Sequence, residues 1–247
     1  MQTFERLVAE ASAVPLRGWD FSWLRGRASG SDPSWSYAER AAALLPGRAA
    51  LLDIDTGGGE MLAALGPRPP VTIATEGWEP NVAVARERLG PLGVDVRHAP
   101  DADLPVPAGA VDLVLNRHGR LDAGEVARVL RPGGDLLTQQ VGAEDCAELN
   151  AALGAPPPYG RAWSADVAAA ALTAAGLTVT DVREERPELV FHDIGALVYQ
   201  LRAVPWQVRD FTVTRYEPAL RRIDERIRGE GAFAVRTHRF LVQARVL

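Results

Sequence analysis

The sequence predicts an α/β fold with a mostly parallel sheet, and three observations predict it. An apolar run, residues 49–54, leads directly into Asp55-Thr56-Gly57-Gly58-Gly59 and then a helix start at Glu60. Further short apolar runs alternate with helix-like segments, which is the pattern of βα units. The second of these runs, residues 71–75, ends on an acid, Glu76.

Each piece of this first unit has a physical use. Glycines can take positive φ and let the backbone approach a ligand with no Cβ in the way. The amides at the following helix start present free N–H groups. An acid at the tip of the second strand suits a bidentate grip on ribose hydroxyls. Together these features point to a nucleoside-containing ligand. A dinucleotide site wants G-x-G-x-x-G, but counting from Gly57 places Leu62 at the third glycine position. Glu60 would also repel a pyrophosphate. S-adenosylmethionine (SAM) carries an ammonium and a sulfonium instead, and Asp53 and Asp55 suit both.

On these residues the sequence resembles the class I SAM-dependent methyltransferases, whose glycine motif follows the first strand as acidic-x-Gly-x-Gly. Thr56 and the third glycine, Gly58, depart from the commonest form. The resemblance runs over roughly residues 35–183. It implies that Asp53, Asp55, Gly57 and Gly59 surround the methionine half of SAM. It places Glu76 at the ribose and Asp101 and Ala102 at the adenine, with Gly77 among the cofactor-binding residues; Trp78, two residues past Glu76, would stack near the adenine or cover the core beneath the next helix. Val111-Asp-Leu-Val-Leu-Asn116 resembles the fourth strand, whose end faces the methyl group. Glu125-Val-Ala-Arg-Val-Leu-Arg-Pro-Gly-Gly134 resembles the helix and turn into the fifth. The implied fold is a Rossmann-like sheet of seven strands, mostly parallel with an antiparallel last strand, flanked by helices. The implied product is S-adenosylhomocysteine (SAH).

Along the chain, an amphipathic start (residues 4–9) precedes an aromatic-rich stretch containing Trp19, Phe21, Trp23, Trp35 and Tyr37. A helix is expected over 37–45, ending at Pro46-Gly47. Pro80 suits the first turn of a helix over 81–89, which Gly90-Pro91 ends. A third strand is expected at 94–97. Asp122-Ala-Gly-Glu125 has capping-box spacing for a helix to Leu130, and 135–141 reads as the fifth strand. Ser164 caps a helix ending at Gly176, a strand follows over 177–184, and 231–247 reads as a closing antiparallel hairpin. The expected organisation is one domain: a cap at 1–34, a SAM-binding core at 35–184, a substrate-side insert at 185–230 and the hairpin. The insert carries Phe191, His192, Tyr199, Trp206, Phe211 and Tyr216. With the N-terminal aromatics it is expected to form a lid and wall for an apolar or ring-bearing substrate.

Composition narrows the class. The chain has 247 residues, 47% hydrophobic and 24% charged, with net charge −5. That balance disfavours general nucleic-acid binding, which rests on basic surface. No apolar run approaches the roughly 20 residues of a membrane span, and the N-terminus lacks a signal peptide's order. A single cysteine, Cys146, fits a reducing cytoplasm. All 27 basic residues are arginine, which reads as the codon bias of a GC-rich bacterial genome.

Methyl transfer is a displacement at the sulfonium carbon, so the protein must chiefly align nucleophile, carbon and sulfur. A protonated oxygen or nitrogen nucleophile also needs a base. The fourth strand ends in Asn116-Arg117-His118. Asn116 is expected to hold a substrate heteroatom or the cofactor's amino group. Arg117 would bind an acidic group or be solvated. His118 is the best-placed base, an unperturbed imidazole having a pKa of about 6.5. The adjacent His192-Asp193 ranks below it, because consecutive residues on a helix do not face each other. His98 and His238 read as structural, and the histidines and cysteine lack metal-site spacing. Gln139-Gln140 would line the pocket or point to its solvated mouth. The resulting expectation is a cytoplasmic, bacterial, SAM-dependent methyltransferase acting on oxygen or nitrogen of a small molecule. An RNA or protein methyltransferase is the alternative within the class, drawing on the arginines between 215 and 239. A SAM-binding protein without turnover is the alternative outside it.

Overall fold

A computed structural model describes residues 2–16 and 21–247; Trp19 lies outside the described residues. In chain order, α1 (Phe4–Ala13) and the short β1 (Ala28–Gly30) precede α2 (Tyr37–Leu44). Strand and helix then alternate through β2 (Ala50–Ile54), α3 (Glu60–Ala64), β3 (Val71–Glu76), α4 (Glu79–Leu89) and β4 (Asp95–His98). Next come β5 (Val111–Arg117), α5 (Ala123–Val129), β6 (Leu130–Val141), α6 (Ala147–Leu153), α7 (Ala165–Ala174) and β7 (Leu177–Glu185). The last elements are β8 (Glu188–Phe191), α8 (Ile194–Ala203), α9 (Val213–Glu230), β9 (Phe233–Arg236) and β10 (Arg239–Val246).

These elements form two compact units. The larger holds residues 34–141, 163–184 and 239–247. Its seven-stranded sheet has the order β4-β3-β2-β5-β6-β10-β7. Strands β2 to β6 pair in parallel, and β10 runs antiparallel to β6. All five residues of β2 are buried, as expected of a parallel strand covered on both faces. Alternation then divides them. Ala50, Leu52 and Ile54 join Val126, Ala168 and Leu172 on one face, whereas Leu51 joins Tyr37, Leu62, Val82 and Leu89 on the other. Asp53 falls in the second set, on the side of α2.

The expected caps hold in part. Asp122 accepts from the Glu125 N–H at 2.9 Å, but the Glu125 carboxylate takes the Leu104 N–H and Arg128 instead of closing a capping box. Ser36 and Ser164 cap α2 and α7.

The smaller unit holds residues up to 33, 142–162 and 185–238. Its sheet is β1-β8-β9, antiparallel throughout, with α1, α6, α8 and α9. Its aromatics pack among themselves: Phe191, Tyr199, Tyr216 and Phe233 are buried, and Trp23 lies 5.1 Å from Tyr199. Trp206 stays 37% exposed. The expected closing hairpin does not form, because β9 pairs with β8 while β10 pairs with β6. Thr237-His238 lacks the Asn-Gly type of chemistry that a two-residue hairpin needs. Instead, the Thr237 N–H donates to Pro187 O and the His238 N–H to Asp145 Oδ1, both at 2.8 Å.

Candidate cofactor and acceptor site

The site begins where β2 runs out. Asp55 takes positive φ (53°), a conformation that a short polar side chain tolerates. The Thr56 N–H donates to Thr75 O at 2.8 Å, tying the turn to β3. Gly57 and Gly59 also have positive φ. The extra glycine has its own cause. A Cβ on Gly58 would lie 2.5 Å from Glu60 Oε1 and 2.8 Å from Arg88 Nη1, an ion pair that closes over the loop. Glu76 is 6% exposed, and its carboxylate accepts the Gly57 and Trp78 N–H groups, each at 2.7 Å. It therefore fixes the glycine loop to β3. Each oxygen keeps a second lone pair for a further donor.

Three buried polar groups lie below this loop. Asp53 is 8% exposed and, among the described residues, pairs with no arginine and accepts no backbone N–H. Burial pushes its pKa from 3.8 up to about 7; the Asp55 and Glu76 charges add, and the Thr56 hydroxyl and Arg117 oppose. Among the described residues the buried hydroxyls of Tyr37 and Thr56 meet no partner in good hydrogen-bond geometry, although the Thr56 hydroxyl lies near enough to favour the Asp53 carboxylate. Burial and the Asp53 charge hold the Tyr37 hydroxyl well above the ordinary phenol value. An unpaired carboxyl among such hydroxyls is costly unless a ligand meets it. A cationic, hydrogen-bonding group such as the ammonium of SAM fits that donor set. Burial also raises the pKa of Asp55 and Glu76, against the N–H groups that each accepts.

The Asp55 carboxylate turns toward the loop after β5 and accepts the Arg120 N–H at 2.7 Å. Only glycine fits at 119, where a Cβ would lie 2.6 Å from Asp55 Cβ and 2.7 Å from Asn116 Nδ2. The Arg120 guanidinium crosses to the loop after β4 and donates to the carbonyls of Ala99, Pro100 and Asp101. Asp101 and Ala102 are exposed there. Ala102 lines a small hollow with Ile54, Leu104 and Arg120. Gly77 sits where a Cβ would be 3.1 Å from Ala99 O, so the ends of β3 and β4 approach closely. Trp78 is 61% exposed, so its indole does not cover the core.

At the end of β5 the polar residues are organised as a network. Asn116 is fully buried; its Nδ2 donates to Ile54 O and Arg120 O, and its Oδ1 accepts from Thr138 and Gln140. Those bonds use its side-chain capacity within the sheet. Gln140 is thereby explained, and Gln139 has a separate part. Trp35 Nε1 donates to Gln139 Oε1 at 2.8 Å, which turns the amide nitrogen toward His118 Nε2 at 3.0 Å. Gln139 O also accepts the His118 N–H at 2.7 Å, holding that residue at φ 60°. The neutral ring then carries its proton on Nδ1.

Although His118 is exposed, the protein crowded around it and the Arg117 and Arg239 guanidiniums disfavour its charged form, pushing its pKa down to about 3. The sign is what matters: the ring is neutral at neutral pH and a weak base. The other histidines have partners of their own. His192 Nε2 bonds Ser29 Oγ, while Asp193 caps α8 and pairs with Arg27, so the two form no dyad. His98 Nε2 lies 3.2 Å from Gly77 O, and buried His238 accepts the Glu144 N–H. No cluster of histidine, cysteine or acids among the described residues could hold a metal ion. No helix among them is long and apolar enough to cross a membrane.

Residues 52–138 match the methyltransferase domain family. No curated protein sequence matches the chain significantly. Among solved structures, the chain is similar to the YcgJ protein of Bacillus subtilis, at 20% identity and a TM-score of 0.61, covering 85% of this chain and 97% of that one. A candidate methyltransferase from Bacillus halodurans C-125 aligns at 21% identity and a TM-score of 0.61, over 84% and 96% of the two chains. A geranyl diphosphate methyltransferase solved in complex with SAM aligns at 18% identity and a TM-score of 0.52, over 85% and 84%. With this sheet order, this glycine loop and the match over residues 52–138, the larger unit has the fold of a class I SAM-dependent methyltransferase domain.

Proposed function

We propose that the protein transfers the methyl group of SAM to an oxygen or nitrogen atom of a small molecule. The observation that carries the cofactor side is the unpaired, buried Asp53 beside the hydroxyls of Tyr37 and Thr56. SAM supplies an electrophilic methyl on a sulfonium. Asp53 would receive its ammonium and Glu76 its ribose hydroxyls, with Asp55 contributing negative charge nearby. Asp101, Ala102 and the exposed Trp78 would border the adenine, where stacking on an indole contributes on the order of 1 kcal/mol. Gly57, Gly59 and Gly77 allow the backbone to come close.

The chain's own part in the chemistry is alignment. Gln139 and Trp35 hold His118 in one tautomer, and Asn116 braces the ends of β2, β5 and β6. His118 then orients the acceptor by donating from Nδ1, and proton removal is left to an acceptor that ionises by itself or to solvent.

The small-molecule reading draws on the charge of the chain and on α9. There, Arg221, Arg226 and Arg228 are paired with acids, as is Arg215 with Asp210, so four of the seven arginines between 215 and 239 are partly neutralised. The geranyl diphosphate enzyme among the structural neighbours serves a small molecule on this fold. The test is SAH formation from SAM with three separate pools: small metabolites, total RNA and denatured protein. Turnover confined to the RNA or protein pool would overturn the reading, and none in any pool would favour binding without catalysis.

A further inference from the structure

Among the described residues, the end of β5 presents two exposed side-chain donors, Arg117 and His118. Arg117 is the strand's last residue, is exposed, and forms no ion pair among the described residues. Alternation along β5 sets Arg117 on the face of Leu113 and Leu115, which packs with Tyr37, and Leu115 is the register partner of Asp53, so the Arg117 charge acts on Asp53, Tyr37 and His118. His118 adds a second donor, because Gln139 occupies Nε2 and leaves the Nδ1–H to face a ligand. Arg239, opposite Val141 at the start of β10, adds positive field at the same ring. The acids Asp53, Asp55 and Glu76 lie instead at the ends of β2 and β3. Charge is thus divided along one sheet edge, negative where a cationic cofactor fits and with donors where the acceptor would approach.

We propose that the acceptor is a carboxylate-bearing small molecule, its carboxylate gripped by the Arg117 guanidinium and the Nδ1–H of His118. This rests on the methyltransferase reading above. A guanidinium beside a neutral N–H donor matches a carboxylate's two oxygens, and charge-assisted bonds are the stronger kind. A carboxylate also suits a site without a strong base, being ionised at neutral pH. Should its own oxygen be methylated, a lone pair forms the O–CH3 bond, the C–S electron pair stays on sulfur, and no proton moves.

The test uses the full chain saturated with SAH and labelled with 15N in arginine and histidine. Sodium benzoate is titrated, with benzamide as the neutral isostere, following the Arg117 Nε–H and His118 ring signals. Arg117→Gln and His118→Gln variants assign those signals. Benzoate should shift both to saturation and benzamide neither, and Arg117→Gln should weaken benzoate at least about tenfold with SAH affinity unchanged. An equal response to benzamide, or no response to benzoate in the SAH-saturated protein, overturns the proposal. Loss of SAH affinity in Arg117→Gln also overturns it, assigning the arginine to the cofactor's own carboxylate. A wild type that fails to bind SAH removes the methyltransferase reading, and this proposal with it.

Discussion

Asp53→Asn separates what the site costs the fold from what it gives the ligand. The carboxyl rises from 3.8 to about 7 in the folded chain, so the folded state holds its proton more tightly than the unfolded state. Stability of the ligand-free protein should therefore fall as pH rises from about 4 to about 7 and level off above, losing at most ~4 kcal/mol through this group. Asparagine removes the charge while keeping a similar shape between Tyr37 and Thr56. The variant should be more stable than wild type at pH 8 by a part of that ~4 kcal/mol, with the difference closing only near pH 4. Its SAH affinity should drop by about a hundredfold, the loss of a buried charge partner. Urea unfolding at the two pH values, with and without SAH, measures both effects in one series. A variant less stable than wild type at pH 8 without ligand would refute the unpaired-charge argument. SAH stabilising both proteins equally would refute Asp53's place at the cofactor.

The same group predicts that wild-type SAH affinity, measured by calorimetry, falls below pH 7 by up to about tenfold per pH unit as Asp53 takes a proton. Glu76→Gln has one carboxamide oxygen for the Gly57 and Trp78 N–H groups, so it should weaken SAH at least about tenfold and cost about 1–3 kcal/mol in urea unfolding. Gly119→Ala drives a methyl into Asp55 and Asn116, and should destabilise by about 1–3 kcal/mol on thermal unfolding. Asp135, buried between Arg48 and Arg245, has a lowered pKa despite its burial. The stability it gives is present above the usual carboxyl pKa and lost as pH falls through its lower folded value. Asp135→Asn should flatten that part of the acid-unfolding curve.

The parallel sheet and its glycine loop were legible because β2, β3 and β5 are apolar runs bounded by glycine, proline or acids. Glu76 was legible because an acid at a strand tip has few other uses. Residues 185–230 were less so, because α9 carries Pro218 within it, which reads as a break. β9 and β10 read as a hairpin because strand pattern is local, while the choice of partner strand is made by distant bonds at Thr237 and His238. Trp35 and Tyr37 read only as members of an aromatic-rich stretch, and Arg120 carried no signal. Each acts through atoms supplied by other strands and loops, which no spacing in the chain reveals.

The histidine shows why a residue's type predicts less than its neighbours do. His118 reads as a base from sequence because free imidazole titrates near neutrality. Its crowded surroundings and the Arg117 and Arg239 guanidiniums reverse that, while Gln139 on the adjacent strand, its amide fixed by Trp35, sets the tautomer. A glutamine that could rotate would let the ring choose either tautomer. A glutamate in its place would hold the imidazolium and restore a base. The ring as built can only donate outward from Nδ1. Such a site needs an acceptor that arrives already deprotonated, and that demand falls on the substrate's own ionisation instead of on a protein group.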